Sequence, residues 1–155
     1  MTMNICSEIF FCIAVKEDRR DIYRLFREMQ KDIHGNWALP CDPRFLDKYF
    51  PAGRDVIFLA KASGQTVAFL SIEEHHDEAD YLYLDDFCVT GAFRGRGIGT
   101  ALLKKAEELA RERQIPFIVL HVERTNIRAK KLYESLGYRE FGGKDSRIRM
   151  IRNIG

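Results

Sequence analysis

The segment between Tyr81 and Val122 constrains the fold most, because it joins two strand patterns through a glycine-rich turn and one helix. The second strand pattern, PFIVLHV at 116–122, is apolar throughout, which is typical of a strand buried on both faces. The helix between the strands is amphipathic, with one apolar face formed by Ile98, Leu102, Ala106, Leu109 and Ala110. This order predicts a βαβ unit with two parallel strands and a right-handed crossover.

The rest of the chain adds strand and helix patterns on both sides of this unit. We expect strands over 9–15, 55–60 and 66–74 and around 138–141 and 148–151, and helices over 18–34, near 45–50 and over 126–136. No linker, repeat or low-complexity segment separates these elements. The sequence therefore predicts a single α/β (α+β) domain over 1–155, with a mixed sheet of about six to seven strands and about four helices.

Composition excludes several classes of protein. The chain has 155 residues, 46% of them hydrophobic and 31% charged, with a net charge of +2, which argues against disorder and against a strongly basic nucleic-acid coat. Its four cysteines (Cys6, Cys12, Cys41 and Cys88) contain no C-x-x-C pair, and this favours reduced thiols in a cytoplasmic protein over a zinc site. No segment approaches the roughly 18 apolar residues of a membrane span.

The glycine-rich turn runs from Arg94 to Thr100 and reads RGRGIGT. A helix start leaves amide groups unpaired, and glycines let the backbone approach a phosphate closely. The glycine spacing matches neither G-x-G-x-x-G nor the nucleoside triphosphate loop G-x-x-x-x-G-K-S/T. A simple connecting turn remains the alternative to an anion-binding loop at this point.

Charge is distributed unevenly along the chain. Residues 91–131 contain ten Lys or Arg and four acidic residues, whereas residues 73–86 contain seven acidic residues and no Lys or Arg. The first segment suits a polyphosphate and the second a cation, although solvated surfaces explain several of these charges. A nucleic-acid binder is disfavoured, because the basic residues are spread over two helices without an aromatic stacking surface.

Two linked motifs resemble the GNAT superfamily of acetyl-CoA-dependent N-acetyltransferases. They are LDDFCVTGAFRGRGIGTALL at 84–103 and NIRAKKLYESLGY at 126–138, in the order and at the spacing of that superfamily. Within it, Asp85 and Asp86 are most similar to the Glu-Asp pair of polyamine and small diamine acetyltransferases. The resemblance implies a GNAT-like domain in which the strands at 81–89 and 116–122 splay apart.

The resemblance also implies which residues hold acetyl-CoA. The loop residues Arg94, Gly95, Arg96, Gly97, Ile98, Gly99 and Thr100 would bind the pyrophosphate, and the strand edge at Phe87, Cys88 and Val89 would bind the pantetheine arm. A strand can offer its edge only where it is locally unpaired, so a bulge or splay is expected near 85–89. The Val89 amide would then face the thioester carbonyl.

In the second motif, the resemblance implies that Asn126 and Ala129 contact the cofactor and that Tyr133 is the general acid. Asn126 and Tyr133 are seven residues apart, so they share a helix face about 10 Å apart along the axis. An ordinary phenol, with a pKa near 10, is protonated at neutral pH and can donate to a leaving thiolate. Structural roles remain open, since Tyr133 also suits the core and Asn126 a helix cap.

The general base is assigned to Asp85, acting through water, with Glu73, Glu74 and Asp86 as alternatives. Strict alternation along the strand would place Tyr81, Tyr83, Asp85 and Phe87 on one face and Leu82, Leu84, Asp86 and Cys88 on the other. A structural Asp85, bonded to neighbouring backbone, is the other interpretation.

The acceptor is expected to be the primary amine of a small, cationic molecule, contacted by Trp37, Glu73 and Asp85. No metal is expected, since the histidines at 75–76 point to opposite faces of a hairpin. The resemblance implies a homodimer. Two other functions stay open: a non-catalytic acyl-CoA-binding domain, and an acetyltransferase acting on a protein N-terminus or lysine.

Overall fold

The computed structural model describes residues 8–35, 42–50 and 53–155, which form one mixed sheet with helices on both faces. The strands are β1 (Ile9–Ile13), β2 (Val56–Ala62), β3 (Gln65–His75), β4 (Tyr81–Val89), β5 (Phe117–Glu123), β6 (Arg139–Lys144) and β7 (Arg147–Asn153). The α-helices are α1 (Arg19–His34), α2 (Ile98–Glu112) and α3 (Ile127–Ser135), with short 3-10 helices at Lys16–Asp18, Pro43–Tyr49 and Gly91–Phe93.

The strand order is β1-β2-β3-β4-β5-β7-β6, and β4 and β5 are the parallel pair within an otherwise antiparallel sheet. The predicted mixed sheet and parallel β4–β5 pair are therefore confirmed, as is the number of helices once Pro43–Tyr49 is counted with the three α-helices. Burial follows the predicted periodicity, because the five residues chosen for the apolar face of α2 are all buried.

The hydrophobic core is divided by the sheet into two clusters. One contains the apolar face of α2 together with Leu70, Leu82 and Leu84, and α3 adds Tyr133. The other contains Ile22 and Leu25 of α1, the Pro43–Tyr49 helix and inward-facing residues of β2 and β3. We call the two sides of the sheet the α2 face and the α1 face.

A β-bulge interrupts β4 at Asp85 and Asp86. Leu70 pairs with Phe87 and Ile72 with Leu84, so two residues of β4 oppose the single residue Ser71 of β3. The buried Ser71 hydroxyl accepts a hydrogen bond of 2.8 Å from the Asp86 amide. The backbone amide of the extra residue therefore has a side-chain acceptor, so the bulge leaves no unpaired amide here inside the sheet.

The bulge corrects the predicted alternation along β4. Leu82 and Leu84 lie on the α2 face as expected, but Phe87 and Val89 also pack on that face, whereas Cys88 lies on the α1 face. Phe87 therefore does not share a face with Tyr81 and Tyr83. Strict alternation is wrong here because one inserted residue changes the phase of every side chain after it.

The parallel pairing of β4 and β5 ends after Leu84 and Leu120, whereas β5 stays paired with β7 along its whole length. Beyond this point β4 and β5 separate, as the resemblance implied. Bulge and separation together expose the β4 edge from Asp85 to Val89 on the side that β5 would otherwise cover.

Within residues 8–35, 42–50 and 53–155, no helix combines the length and the apolar character needed to cross a bilayer. Cys12 and Cys88 are free thiols, and burial raises the pKa of Cys88 to about 12. Cys6 and Cys41 lie outside the described residues.

Candidate active site

A cavity of about 570 Å³ opens where β4 and β5 separate. Eleven of the thirteen predicted cofactor residues line it: Phe87, Cys88, Val89, Arg94, Gly95, Gly97, Ile98, Gly99, Thr100, Asn126 and Ala129. Arg96 and Tyr133 are not among its lining residues, whereas Met29, Asp32, Ile33, Phe93, Arg128 and Leu132 are additional ones. The fold therefore gathers residues from the loop, the β4 edge, α3 and the end of α1.

The loop presents the start of α2 to this cavity. Gly97 occupies the N-cap position with φ +79, a left-handed conformation that glycine adopts without strain. The first backbone bond of the helix runs from the Ala101 amide to the Gly97 carbonyl at 3.0 Å. The three preceding amides, those of 98–100, therefore have no acceptor within the helix and suit an anion.

Gly99 is in close contact with the β4 edge. A Cβ atom built at Gly99 would lie 2.9 Å from Cζ of Phe87, so a side chain here would displace that ring. The glycine thus allows α2 to begin directly beside the exposed strand edge.

The two arginines of the loop occupy different positions. The Arg94 guanidinium donates to the Val89 carbonyl at 2.9 Å and to Asp32 at 2.9 Å. Arg96 stacks over the Phe93 ring at 4.9 Å and does not line the cavity. Arg94 therefore lies at the predicted anion site with an acidic partner from α1, which no local sequence signal indicates.

The exposed edge of β4 offers backbone groups to the cavity. The Thr90 amide bonds to the Val67 carbonyl at 2.9 Å. Because residues of an antiparallel ladder alternate between facing the partner strand and facing away, the amide and carbonyl of Val89 point away from β3 and into the separation from β5. The Val89 amide is thus placed where the resemblance implies an oxyanion donor.

Helix α3 closes the other side of the cavity. The Asn126 side chain caps this helix by accepting from the Ala129 amide at 3.2 Å, so its structural role is realised. Tyr133 is 9% exposed, lies 5.8 Å from the Tyr138 ring, and burial raises its pKa to about 12. The phenol is protonated at neutral pH, as a general acid requires, and its assigned role remains a prediction.

Acidic residues of β3 and β4 meet at the bulge on the α1 face. Burial, the Asp85 carboxylate and Glu73 together raise the pKa of the half-buried Asp86 to about 6. Desolvation and Glu73 also raise the pKa of the more exposed Asp85. Lys48 forms an ion pair with Glu73 and opposes both shifts. A carboxyl group with a pKa near 6 is suited to exchanging a proton near neutral pH.

Sequence reasoning missed a second polar group beside the bulge. The Tyr83 hydroxyl lies 2.8 Å from Nδ1 of His121, on β5 just past the end of the parallel pairing. Desolvation, Arg147 and Arg149 lower the pKa of His121, which keeps the imidazole neutral at pH 7. Only the register between β4 and β5 reveals this pair, since the two residues are 38 positions apart.

Two further predictions concern Trp37 and the histidines at 75–76. Trp37 lies outside the described residues. His75 stacks on Tyr81 with ring centroids 4.9 Å apart, whereas His76 bonds to Glu74 and Asp80, so the two imidazoles engage different neighbours. Among the described residues, no group of three or more His, Cys, Asp or Glu is arranged to hold a metal ion.

Comparisons with known proteins agree with this geometry. The model of the acetyltransferase (GNAT) family matches residues 17–138. An uncharacterised N-acetyltransferase of Archaeoglobus fulgidus is 30% identical over 143 residues, covering 86% of this chain and 96% of that protein. Human N-acetylaspartate synthetase is 33% identical over 110 residues, which cover 70% of this chain and 36% of the synthetase. Against several curated relatives, the matched region thus spans about a third to a half of their length.

A solved structure shows the same fold. The PaiA N-acetyltransferase of Thermoplasma acidophilum, solved in complex with coenzyme A, superposes with a TM-score of 0.77 at 16% identity and covers 94% of this chain and 99% of that one. Seven strands in this order, a β4–β5 separation and a family match over 17–138 lead to one conclusion. The chain belongs to the acetyltransferase (GNAT) family, a family of N-acetyltransferases.

Proposed function

We propose that this chain is an acetyl-CoA-dependent N-acetyltransferase that acts on a primary amine of a small acceptor, cationic at its reacting end. The observation that carries the proposal is a cavity that runs from the amides of 98–100 to the β4 edge at Phe87, where β4 and β5 have separated. Asp85 and Asp86 do not line this cavity but immediately precede that edge in β4, so the loop offers an anion site and the bulge offers an acidic site for an ammonium group.

The residues present fit the cofactor. The free amides at the start of α2 would bind the pyrophosphate, with Arg94 and Arg128 supplying positive charge at the same cavity. The edge of β4 from Phe87 to Val89 would bond to the amides of the pantetheine arm. Acetyl-CoA supplies an acetyl group activated as a thioester.

The proposed reaction is direct attack of the amine on the thioester within a ternary complex. An alkylamine is protonated at pH 7, so a carboxylate at the bulge must accept its proton, directly or through water. Asp85 is our first assignment, and Asp86, with a pKa of about 6, is the alternative. As the C–S bond breaks, Tyr133 would donate its proton to the thiolate, and the Val89 amide would donate to the carbonyl oxygen.

Calorimetry with coenzyme A tests the loop assignment. Gly97→Asp places a side chain and a negative charge in the proposed anion site, so we expect no measurable binding. Gly64→Asp is the matched control, because Gly64 has φ +76 and open space around it, as Gly97 does with φ +79, but lies in the β2–β3 turn. Equal affinities of the two variants for coenzyme A would contradict the proposal.

Thiol release with a panel of amines tests turnover. Binding of acetyl-CoA without turnover of any amine would support a non-catalytic acyl-CoA-binding domain, which the buried position of Tyr133 favours. Small diamines and polyamines, a peptide with a free N-terminus and a lysine peptide belong in the panel, because the comparisons leave the acceptor open. Acetylation of the peptides alone would replace the small-molecule acceptor with a protein.

The proposal extends to the setting of the enzyme. We propose one domain over 1–155 in the cytoplasm, where thiols such as those of Cys12 and Cys88 stay reduced. A homodimer, which the family resemblance implies, is tested by sedimentation equilibrium with and without coenzyme A.

A further inference from the structure

The sheet carries a positively charged group next to the acidic bulge. Ile148 and Met150 of β7 are buried in the core on the α2 face, so the alternating residues Arg147 and Arg149 project from the α1 face. Across the β5–β7 pairing, His121 lies opposite Arg149. The basic residues of β7 therefore share a sheet face with Tyr83 and the carboxylates of the bulge.

Arg147 is the member of this group that faces the proposed reaction site. It lies on the same sheet face as Tyr83 and the bulge carboxylates, and its charge is one of those that act to lower the pKa of both Tyr83 and Asp85. Arg149, in contrast, stacks over the Phe141 ring at 4.4 Å. Arg147 is thus close enough to act on the same small molecule as Asp85.

Arg147 also lacks a carboxylate partner. Within residues 8–35, 42–50 and 53–155, no Asp or Glu oxygen lies within ion-pair distance of its guanidinium, although Lys48 on the opposite side of the bulge pairs with Glu73. The side chain is exposed, and it lies on the sheet face of Tyr83 and His121, both of them uncharged at neutral pH. A guanidinium left in this way can bind an incoming carboxylate through two parallel hydrogen bonds.

We propose that the acceptor is an amino acid, a small molecule that carries a carboxylate as well as the reacting primary amine. The inference rests on the proposed function, and it specifies the far end of the acceptor. The ammonium group lies at Asp85 and Asp86, and the carboxylate binds Arg147 with the Tyr83 hydroxyl as a further donor. A polyamine would pair with the carboxylates of Asp85 and Asp86, but its second ammonium group would lie near the positive charge of Arg147, which disfavours binding.

The test compares each amino acid with its own amide. Glycine, β-alanine, 4-aminobutyrate and L-glutamate are assayed by thiol release beside the corresponding carboxamides, which keep the amine and lose the negative charge, and beside putrescine and spermidine. We expect at least one acid to exceed its amide in kcat/KM by about tenfold to a hundredfold, the range of a charge-assisted hydrogen bond. The desamino acid of the preferred acceptor should compete with it.

Substitutions in β7 and β6 test whether Arg147 causes the preference for the acid over its amide. Arg147→Met should reduce the acid-to-amide ratio to about one, and Arg147→Lys should retain part of it, since lysine keeps the charge without the bidentate geometry. Lys144→Met, an exposed cation on the neighbouring strand β6, should leave the ratio at the wild-type value.

The two proposals fail differently. Turnover of amides, putrescine or spermidine at rates equal to or above those of the acids would overturn the inference and leave the proposed function intact. An acid preference that survives Arg147→Met would also overturn it. Turnover of no amine at all, with coenzyme A bound, would overturn both.

Discussion

Replacing Asp86 by Asn should stabilise the protein in a pH-dependent way. The fold raises the pKa of this carboxyl from 3.8 to about 6, because the bulge places it half-buried beside Asp85 and Glu73. A rise of about two units corresponds to about 2.7 kcal/mol, and since the group keeps some solvent contact we expect a net effect of about 1–2 kcal/mol.

The sign and the pH range follow from the direction of the shift. At about pH 3 and below, the carboxyl is protonated in both the folded and the unfolded chain, so it makes no difference to stability. Between about pH 3 and 6 the unfolded chain releases this proton while the folded chain keeps it, so wild-type stability decreases as pH rises. Well above pH 6 the full cost of holding the charged carboxylate at the bulge is present. Asp86→Asn removes this cost, so the variant should gain most stability at neutral pH and little at pH 4.

Thermal and urea unfolding of wild type and variant between pH 4 and 8 measures this difference. A gain of about 1–2 kcal/mol corresponds to about 3–6 °C in Tm for a chain of this size. Asp85→Asn is the matched control, since Asp85 is the more exposed neighbour and should gain less. An equal gain at pH 4 and pH 7.5, or a larger gain for Asp85→Asn, would refute the reasoning.

Three further substitutions test the assigned chemistry. Tyr133→Phe should lower kcat at least tenfold, which corresponds to an activation free energy higher by about 1.4 kcal/mol or more. Its affinity for coenzyme A, measured by calorimetry, should be unchanged. Its neighbour Tyr138→Phe should keep turnover, because the buried Tyr138 hydroxyl has no hydrogen-bond partner among the described residues. If Asp85 is the base, Asp85→Asn should remove the acidic limb of the pH–rate profile, and an unchanged profile would exclude it from that role. Gly99→Ala should weaken coenzyme A binding about three- to tenfold by displacing the Phe87 ring, and wild-type affinity would show that the ring adapts at no cost.

The elements around the cavity were predictable because their signals are local. Helical periodicity identified the buried face of α2, and the glycines at 95, 97 and 99 marked the turn that precedes it. The two motifs that carry the family resemblance are each contained in a single segment. Local periodicity and turn chemistry need no knowledge of the partner strand, so they can be read before the fold is known.

The features that sequence reasoning missed depend on partners distant in sequence. A bulge or splay near 85–89 was expected, but its position at Asp85 and Asp86 follows only from pairing with Ser71 on the neighbouring strand, and the Tyr83–His121 pair requires the register of the parallel strands. Asp32 reaches Arg94 only because α1 packs beside β4. None of these contacts follows from composition or periodicity, since each is set by how two separate elements are aligned.

The bulge removes a conflict between the charge of Asp86 and the apolar face of β4. In a regular strand Asp86 would share a face with Leu82 and Leu84, and its carboxylate would enter the core beneath α2, where an unpaired charge costs several kcal/mol. One extra residue keeps Asp86 beside Asp85 and Glu73 on the α1 face, and it returns Phe87 to the α2 face. The parallel pairing with β5 ends at Leu84, immediately before the insertion, so the unpaired edge that the proposed cofactor site needs begins at the same point of β4. The acidic group that would accept a proton and the edge that would hold the thioester therefore lie at a single local change of phase, and a shift in register there would disturb both.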